Sequence, residues 1–182
     1  ETREEFFGES LATRLAAEGR QADLVLGNNV FAHAPDTNDF VAGLRTVLKP
    51  KGRIILEFPY AVDFIEKTEF DTIYHEHVFY FSVTALIPLF QRQNLEIFHA
   101  ERIPIHGGSL RLFAGIAGAH QKQPSVRALL DEESARGIRA LDYYERFAQR
   151  VLDLKDSLLR TIRELRREGK SVAAYGASAK GS

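Results

Sequence analysis

An alternation of strand, helix and strand, spaced by turns of a few residues, constrains this chain more than any other feature. Ala22-Asp23-Leu24-Val25-Leu26 reads as a buried strand, a helix follows from about Asp39 to Leu48 with Pro50 and Gly52 as terminators, and Arg53 to Phe58 is the next strand. An earlier helix is expected over Phe6 to Glu18, where Phe7, Leu11 and Leu15 fall at helical spacing before Gly19. Such units set their strands parallel and cover the sheet with helices, so the fold class is α/β. Ligands in these sheets lie beyond the carboxyl ends of the strands, which brings Asn28 to Pro35 and Glu57 to Tyr60 to one binding edge.

Beyond that edge the pattern changes. Tyr60 to Phe81 is a long connection rich in aromatic and charged residues, and long irregular segments often carry function. Ser82 caps a helix to about Gln93 that Pro88 should kink or shorten. Leu95 to Arg102 and Ser109 to Ile116 read as an antiparallel pair joined through Pro104-Ile105-His106-Gly107-Gly108. Ser125 can cap a helix through Glu133. A long helix then runs after Gly137 to Glu168, where Val151, Leu154, Leu158, Ile162 and Leu165 form one apolar stripe expected to pack. Ser171 to Tyr175 reads as a strand and Gly176 to Gly181 as a small-residue turn, the start of a second α/β unit. The expected organisation is residues 1–118 as one α/β domain, 119–169 as a helical linker, and 170–182 as the opening of another domain.

With 45% hydrophobic and 27% charged residues the chain is ordinary for a globular protein, and its net charge of −1 and pI near 6.7 supply no global field toward nucleic acid or an anionic membrane. No run of about 18 apolar residues and no basic-then-apolar start is present, so a cytoplasmic location is the default expectation. The absence of cysteine excludes disulfides and thiolate metal sites within these residues. A chain that starts at Glu1 without an initiator methionine, and stops just after a strand-like run, reads as a segment of something longer.

The densest group of titratable residues is Asp71-Thr72-Ile73-Tyr74-His75-Glu76-His77, and proton transfer near neutral pH uses such groups. Extended, the segment would put His75 and His77 on one face and Tyr74 and Glu76 on the other. As a helical turn it would bring Tyr74 and His77 together. It is open to three readings: an acid/base site, a loop-anchoring polar cluster, or part of a metal site using His75 and His77. His33, Asn28 and Asn29 sit on the binding edge as ligand contacts or loop anchors, and His106-Gly107-Gly108-Ser109 allows close backbone approach to a ligand or a plain turn. Gly176 to Gly181 with Lys180 could face a phosphate, although it is no Walker motif.

Five stretches in order, Asn28 to His33, Glu57 to Tyr60, Phe70 to His77, His106 to Arg111 and Tyr175 to Gly181, resemble the sugar C-methyltransferases of deoxysugar biosynthesis. The resemblance covers essentially the whole chain. It implies the second half of a Rossmann-like methyltransferase sheet, with parallel strands ending in an antiparallel pair, then a helical linker and a truncated C-terminal α/β domain. The glycine-rich turn for S-adenosylmethionine and a small zinc-binding domain would lie upstream, so the segment alone is not expected to methylate. By this resemblance His77 is the general base that removes a proton beside the ketone of a nucleotide-linked keto-sugar. The enolate then attacks the methyl of S-adenosylmethionine. Tyr74 and His33 would position the sugar or stabilise the enolate oxygen, and Glu76 would orient an imidazole. Asn28, Asn29, Val30 and Phe31 would line the cofactor, with His106, Gly107, Ser109, Tyr175 and Lys180 on the substrate. The alternative from another class is a non-catalytic nucleotide-sugar or adenosine-binding module.

Overall fold

The computed structural model describes residues 2–175. Helix α1 (Glu9–Ala17) leads to strand β1 (Ala22–Asn28), and helix α2 (Thr37–Val47) connects it to strand β2 (Leu48–Pro59). After the short helix α3 (Ala61–Glu66) and a long connection come helix α4 (Val83–Gln91) and the strands β3 (Leu95–Ile103) and β4 (Ser109–Ile116). Helices α5 (Pro124–Arg136) and α6 (Leu141–Arg167) complete the described chain.

The strands form one sheet in the order β1-β2-β4-β3, parallel between β1 and β2 and antiparallel from β2 onward. The expected α/β sheet, with a parallel part ending in an antiparallel pair, is what the chain builds. Ile54, Leu56 and Phe58 of β2 and Leu110, Leu112 and Ala114 of β4 alternate onto one face and are buried under α2, α4 and α5. Phe31 anchors this core, stacking on Phe81 at 4.4 Å between centroids with Phe40 at 5.1 Å and Phe58 at 5.9 Å.

Several expectations need correction. Helix α2 ends at Val47, and Pro50 and Gly52 lie within β2. β1 is not buried throughout: Val25 and Gly27 turn to the core, whereas Leu24 and Leu26 stand exposed on the opposite sheet face, over which no described helix packs. Pro88 sits inside the nine-residue α4, which continues past it to Gln91 and so is not held to a short segment before the proline. Ser125 does not cap α5, because Pro124 occupies the first turn and the Ser125 hydroxyl is taken by His99 Nδ1 at 2.7 Å and by the Ala100 N–H.

Helix α6 docks through its first half, where Phe147 meets Phe64 at 5.1 Å and Arg150 donates to the Ile65 carbonyl at 2.7 Å. The expected packing stripe further along is not covered by described residues, and Leu158 is 57% exposed. Ser171 to Tyr175 is no strand, since no described strand lies beside it to complete a ladder. The predicted turn from Gly176 to Gly181 lies outside the described residues.

Two polar junctions hold the binding edge in place. Glu133 of α5, fully buried, accepts from the Tyr60 hydroxyl at 2.8 Å and from the N–H groups of Val83 and Thr84 at 2.7 Å each. These are the first donors of α4, which a helix cannot satisfy internally; Ser82 takes the Ala85 N–H at 3.2 Å. A carboxylate at a helix N-terminus also meets the favourable end of the dipole. Next to it, Arg102 grips Asp63 through both Nε at 3.2 Å and Nη2 at 2.6 Å, reaches Glu132 at 2.5 Å, and lies 5.4 Å from the Tyr60 ring centre.

Candidate active site

The end of β1 turns at Asn29, whose positive φ of 53° suits the left-handed region that Asn tolerates, and whose N–H donates to the Glu57 carbonyl at 2.7 Å. A single 3-10 turn, Phe31–His33, follows. Its Ala32 carbonyl accepts from both Val78 and Phe79 N–H, at 3.1 and 3.3 Å, which pins the long connection against the edge. His33 and His77 therefore meet, with ring centroids 5.1 Å apart.

Residues 74–77 form a turn, closed by the His77 N–H to the Tyr74 carbonyl at 3.0 Å, so the helical-turn geometry applies and not the extended one. The Tyr74 hydroxyl lies 3.1 Å from His77 Nε2, and His77 Nδ1 lies 3.0 Å from the Thr72 carbonyl. A carbonyl only accepts, so the neutral ring carries its proton on Nδ1 and offers the Nε2 lone pair to the Tyr74 O–H. Tyr80 buttresses the same carbonyl from 2.7 Å, and burial pushes its phenol above the ordinary range. By the same logic His33 donates from Nδ1 to the Glu76 carbonyl at 2.6 Å, and its Nε2 is an acceptor while the ring is neutral.

These groups open on a cleft of about 670 Å³ lined by Asn29, His33, Tyr74, Glu76, His77, His106 and Gly107, with Glu69, Asp71 and Thr72 alongside. His33 also borders a second cleft of about 560 Å³, lined by Val25 to Gly27, Val30 and Pro35. Eight of the sequence-predicted site residues thus border one cleft or the other.

The remainder fare differently. Phe31 is 0% exposed inside the aromatic core and cannot touch a cofactor. Ser109 is buried with its hydroxyl on the Ile105 carbonyl at 3.0 Å, bracing the turn and not meeting a substrate. Glu76 holds an imidazole by its backbone carbonyl, while its carboxylate stands 3.8 Å from the exposed His75. Asn28 is exposed at the end of β1 and lines neither cleft; Tyr175 is exposed and lines neither; Lys180 lies outside the described residues. Glu57 and Tyr60, expected at the open edge, are buried on Arg111 and Glu133. Among the described residues no group of three His, Asp or Glu is placed to hold a metal ion. No described helix is long and apolar enough to cross a membrane.

Sequence reasoning overlooked Glu69, which immediately precedes the motif, and Glu133. The latter had a signal: Val126, Leu129, Leu130 and Glu133 occupy one helical face, so a carboxylate stands where an apolar residue belongs.

Comparison with known proteins adds to this geometry. Residues 3–100 match the profile of a methyltransferase domain, and residues 104–182 that of a C-methyltransferase C-terminal domain. The chain is 38% identical over 176 residues to the C-methyltransferase NovU of Streptomyces niveus, spanning 96% of this chain and 41% of that protein. Among solved structures, 1,6-didemethyltoxoflavin-N1-methyltransferase of Burkholderia thailandensis is similar at 20% identity and a TM-score of 0.42, over 54% of this chain and 45% of that one. Magnesium protoporphyrin IX methyltransferase of Synechocystis PCC 6803 is similar at 15% identity and a TM-score of 0.43, over 57% and 48%.

Proposed function

The chain belongs to the methyltransferase family that carries a C-methyltransferase C-terminal domain, and from that membership we propose that it forms the catalytic part of an S-adenosylmethionine-dependent enzyme methylating carbon in a nucleotide-linked keto-sugar. The observation that carries this reading is the Tyr74–His77 pair, oriented from behind by the Thr72 carbonyl and open to the cleft in front. Loss of a proton beside a ketone needs a base held ready and a donor for the developing oxyanion.

Tyr74 and His77 both line the cleft, and the Tyr74 hydroxyl occupies His77 Nε2, so the pair works as a unit. The phenol oxygen takes the carbon-bound proton as its own proton passes to His77 Nε2, leaving an imidazolium held by Thr72. His33, whose Nδ1 is taken by the Glu76 carbonyl, accepts from a sugar hydroxyl at Nε2. Of the two tasks expected of it, this is the positioning of the sugar, and the Asn29 amide, which borders the cleft, is an uncharged donor for the other, the enolate oxygen. S-adenosylmethionine, when bound, supplies a methyl group already activated as a sulfonium. The half-exposed Val30 and the apolar wall of Val25 to Gly27 fit its uncharged adenosine portion across His33 from the sugar cleft. The test is methyl transfer by the full-length protein to a thymidine-diphosphate-linked 4-keto-6-deoxy sugar, with solvent deuterium exchange at the carbon beside the ketone. Exchange and transfer that both survive His77→Ala would reject this assignment.

A further inference from the structure

The proton that His77 keeps on Nδ1 leaves Nε2 able to receive another, and one backbone oxygen holds it there. The Thr72 carbonyl carries two lone pairs, and two donors meet them: the His77 Nδ1–H at 3.0 Å and the Tyr80 hydroxyl at 2.7 Å. Thr72 ends the single 3-10 turn Phe70–Thr72 in an irregular connection, and Ile73 beside it is 58% exposed. The Thr72 N–H donates to the Glu69 carbonyl and the Ile73 N–H to the Phe70 carbonyl, both at 3.0 Å. Those bonds shape the turn but stay within it, so they do not tie its carbonyl to the body of the fold.

Tyr80 supplies that tie. Its ring stacks on Phe64 of α3 at 4.6 Å between centroids, and Phe64 is packed in the core with Phe147 of α6 against it at 5.1 Å. The next residue, Phe81, is buried, bridges to Tyr60 and accepts from the Ala61 N–H at 2.9 Å. Among the described residues Tyr80 does not border the substrate cleft; it lines a separate pocket of about 300 Å³ with Ile73, Tyr144 and Phe147. Burial raises its phenol above the ordinary range, so it stays a donor wherever an imidazole titrates.

We propose that Tyr80 is a positioning residue for proton transfer: by fixing the Thr72 carbonyl it holds His77 in the Nδ1–H tautomer, with Nε2 as the acceptor facing Tyr74. This rests on the reading of Tyr74 and His77 as the acid/base pair. Which ring nitrogen carries the proton is set by the hydrogen bond that the other ring nitrogen makes. In the opposite tautomer an N–H at Nε2 would face the Tyr74 O–H, and the phenol could not pass its proton on.

The test uses the full-length protein with isotopically labelled histidine and compares wild type with Tyr80→Phe, which removes the oxygen alone and leaves the ring on Phe64. The His77 signals in nitrogen NMR are those that His77→Gln removes, and at a pH above the imidazole range the two ring nitrogens report the tautomer. Wild type should show the Nδ1–H form and Tyr80→Phe a mixture. Methyl transfer to the thymidine-diphosphate-linked 4-keto-6-deoxy sugar should fall roughly 2- to 10-fold in Tyr80→Phe, the worth of one hydrogen bond, with kcat and kcat/KM lowered alike. Fluorotyrosine in place of Tyr80 keeps the O–H and should preserve both the tautomer and the turnover. A wild-type tautomer in Tyr80→Phe overturns the proposal whatever the turnover, as does a wild type already in mixed tautomers. So does a shifted tautomer with unchanged turnover where His77→Ala is inactive. A shifted tautomer beside a fully active His77→Ala would leave Tyr80 as the residue that orients His77 and reject the acid/base reading instead.

Discussion

Two tyrosines near the same sheet edge each bond a titratable side chain, Tyr60 to Glu133 at 2.8 Å and Tyr74 to His77 at 3.1 Å, yet the surroundings give them opposite tasks. Glu133 is 0% exposed and accepts three hydrogen bonds, two of them from the first turn of α4, so its charge is fully engaged in joining two helices to the sheet. His77 is only partly buried, has one nitrogen fixed by a backbone carbonyl, and faces its phenol toward an open cleft. A pair sealed in the core fixes structure, whereas a pair that borders a cleft is placed to exchange a proton with a ligand there.

The largest effect should come from opening the proposed catalytic pair, Tyr74 and His77. His77→Ala and Tyr74→Phe should each lower methyl transfer by about 10²- to 10⁴-fold, the usual contribution of a positioned acid/base group. Because the pair acts as a unit, the double variant should lose little more than the worse single one, and full multiplicativity in kcat/KM would separate the two roles. Thermal melting should hardly change for these variants, since the turn is surface-lying.

Glu133→Ala should break the other side of the comparison. It strands the Tyr60 hydroxyl and two helix N–H groups in the core, at about 1–3 kcal/mol for each buried group left without a partner. With some relief by water, denaturant unfolding should report a loss of roughly 3 kcal/mol, and Glu133→Gln, which keeps an acceptor, should lose less. Methyl transfer per folded molecule should stay near wild type. A loss of turnover in the folded fraction would mean that the junction also tunes the cleft.

Much of this contrast was legible in the sequence, but unequally. The alternation of elements and the turn residues around Gly107 define the sheet because both are local and periodic. The crowded segment from Asp71 to His77 announces a site by composition, although it cannot say whether Tyr74 meets His77 or turns away. That depends on Ala32 receiving Val78 and Phe79, a contact between residues more than 40 positions apart. The burial of Phe31 and Ser109 was equally hidden, since a motif gives residue types and not which side of a turn they face. Helix α6 misleads in a further way: its apolar stripe states that a surface needs cover, and the pattern cannot say where the cover comes from.

Gly107→Ala tests the cleft wall at intermediate size. The new methyl would meet the Glu69 carboxylate and force a β-carbon into a positive φ, which costs on the order of 1–2 kcal/mol for the conformation alone. Because the carboxylate is the end of a flexible side chain, it should yield before the backbone does. Substrate affinity should therefore fall by a larger factor than stability predicts, as titration calorimetry beside a melting curve would reveal.

The smallest effect is read from pH. Burial, reinforced by the Glu133 carboxylate, holds the Tyr60 phenol well above its ordinary range. Below pH of about 10 the phenol is protonated in both folded and unfolded chains, so its contribution to stability is fully present. Above that, the unfolded chain releases a proton that the folded one retains; the unfolded state then binds fewer protons and stability falls, by about 1.4 kcal/mol per pH unit for one such group. Tyr143, also raised chiefly by burial, adds to the same decline. Tyr60→Phe should therefore start from a lower stability at neutral pH, because one bond to Glu133 is gone, but decline less steeply between about pH 10 and 11, by one proton's share. Equal slopes in variant and wild type would mean that the Tyr60 phenol ionises inside the folded protein, and the junction with Glu133 would then be no more sealed than the pair at the cleft.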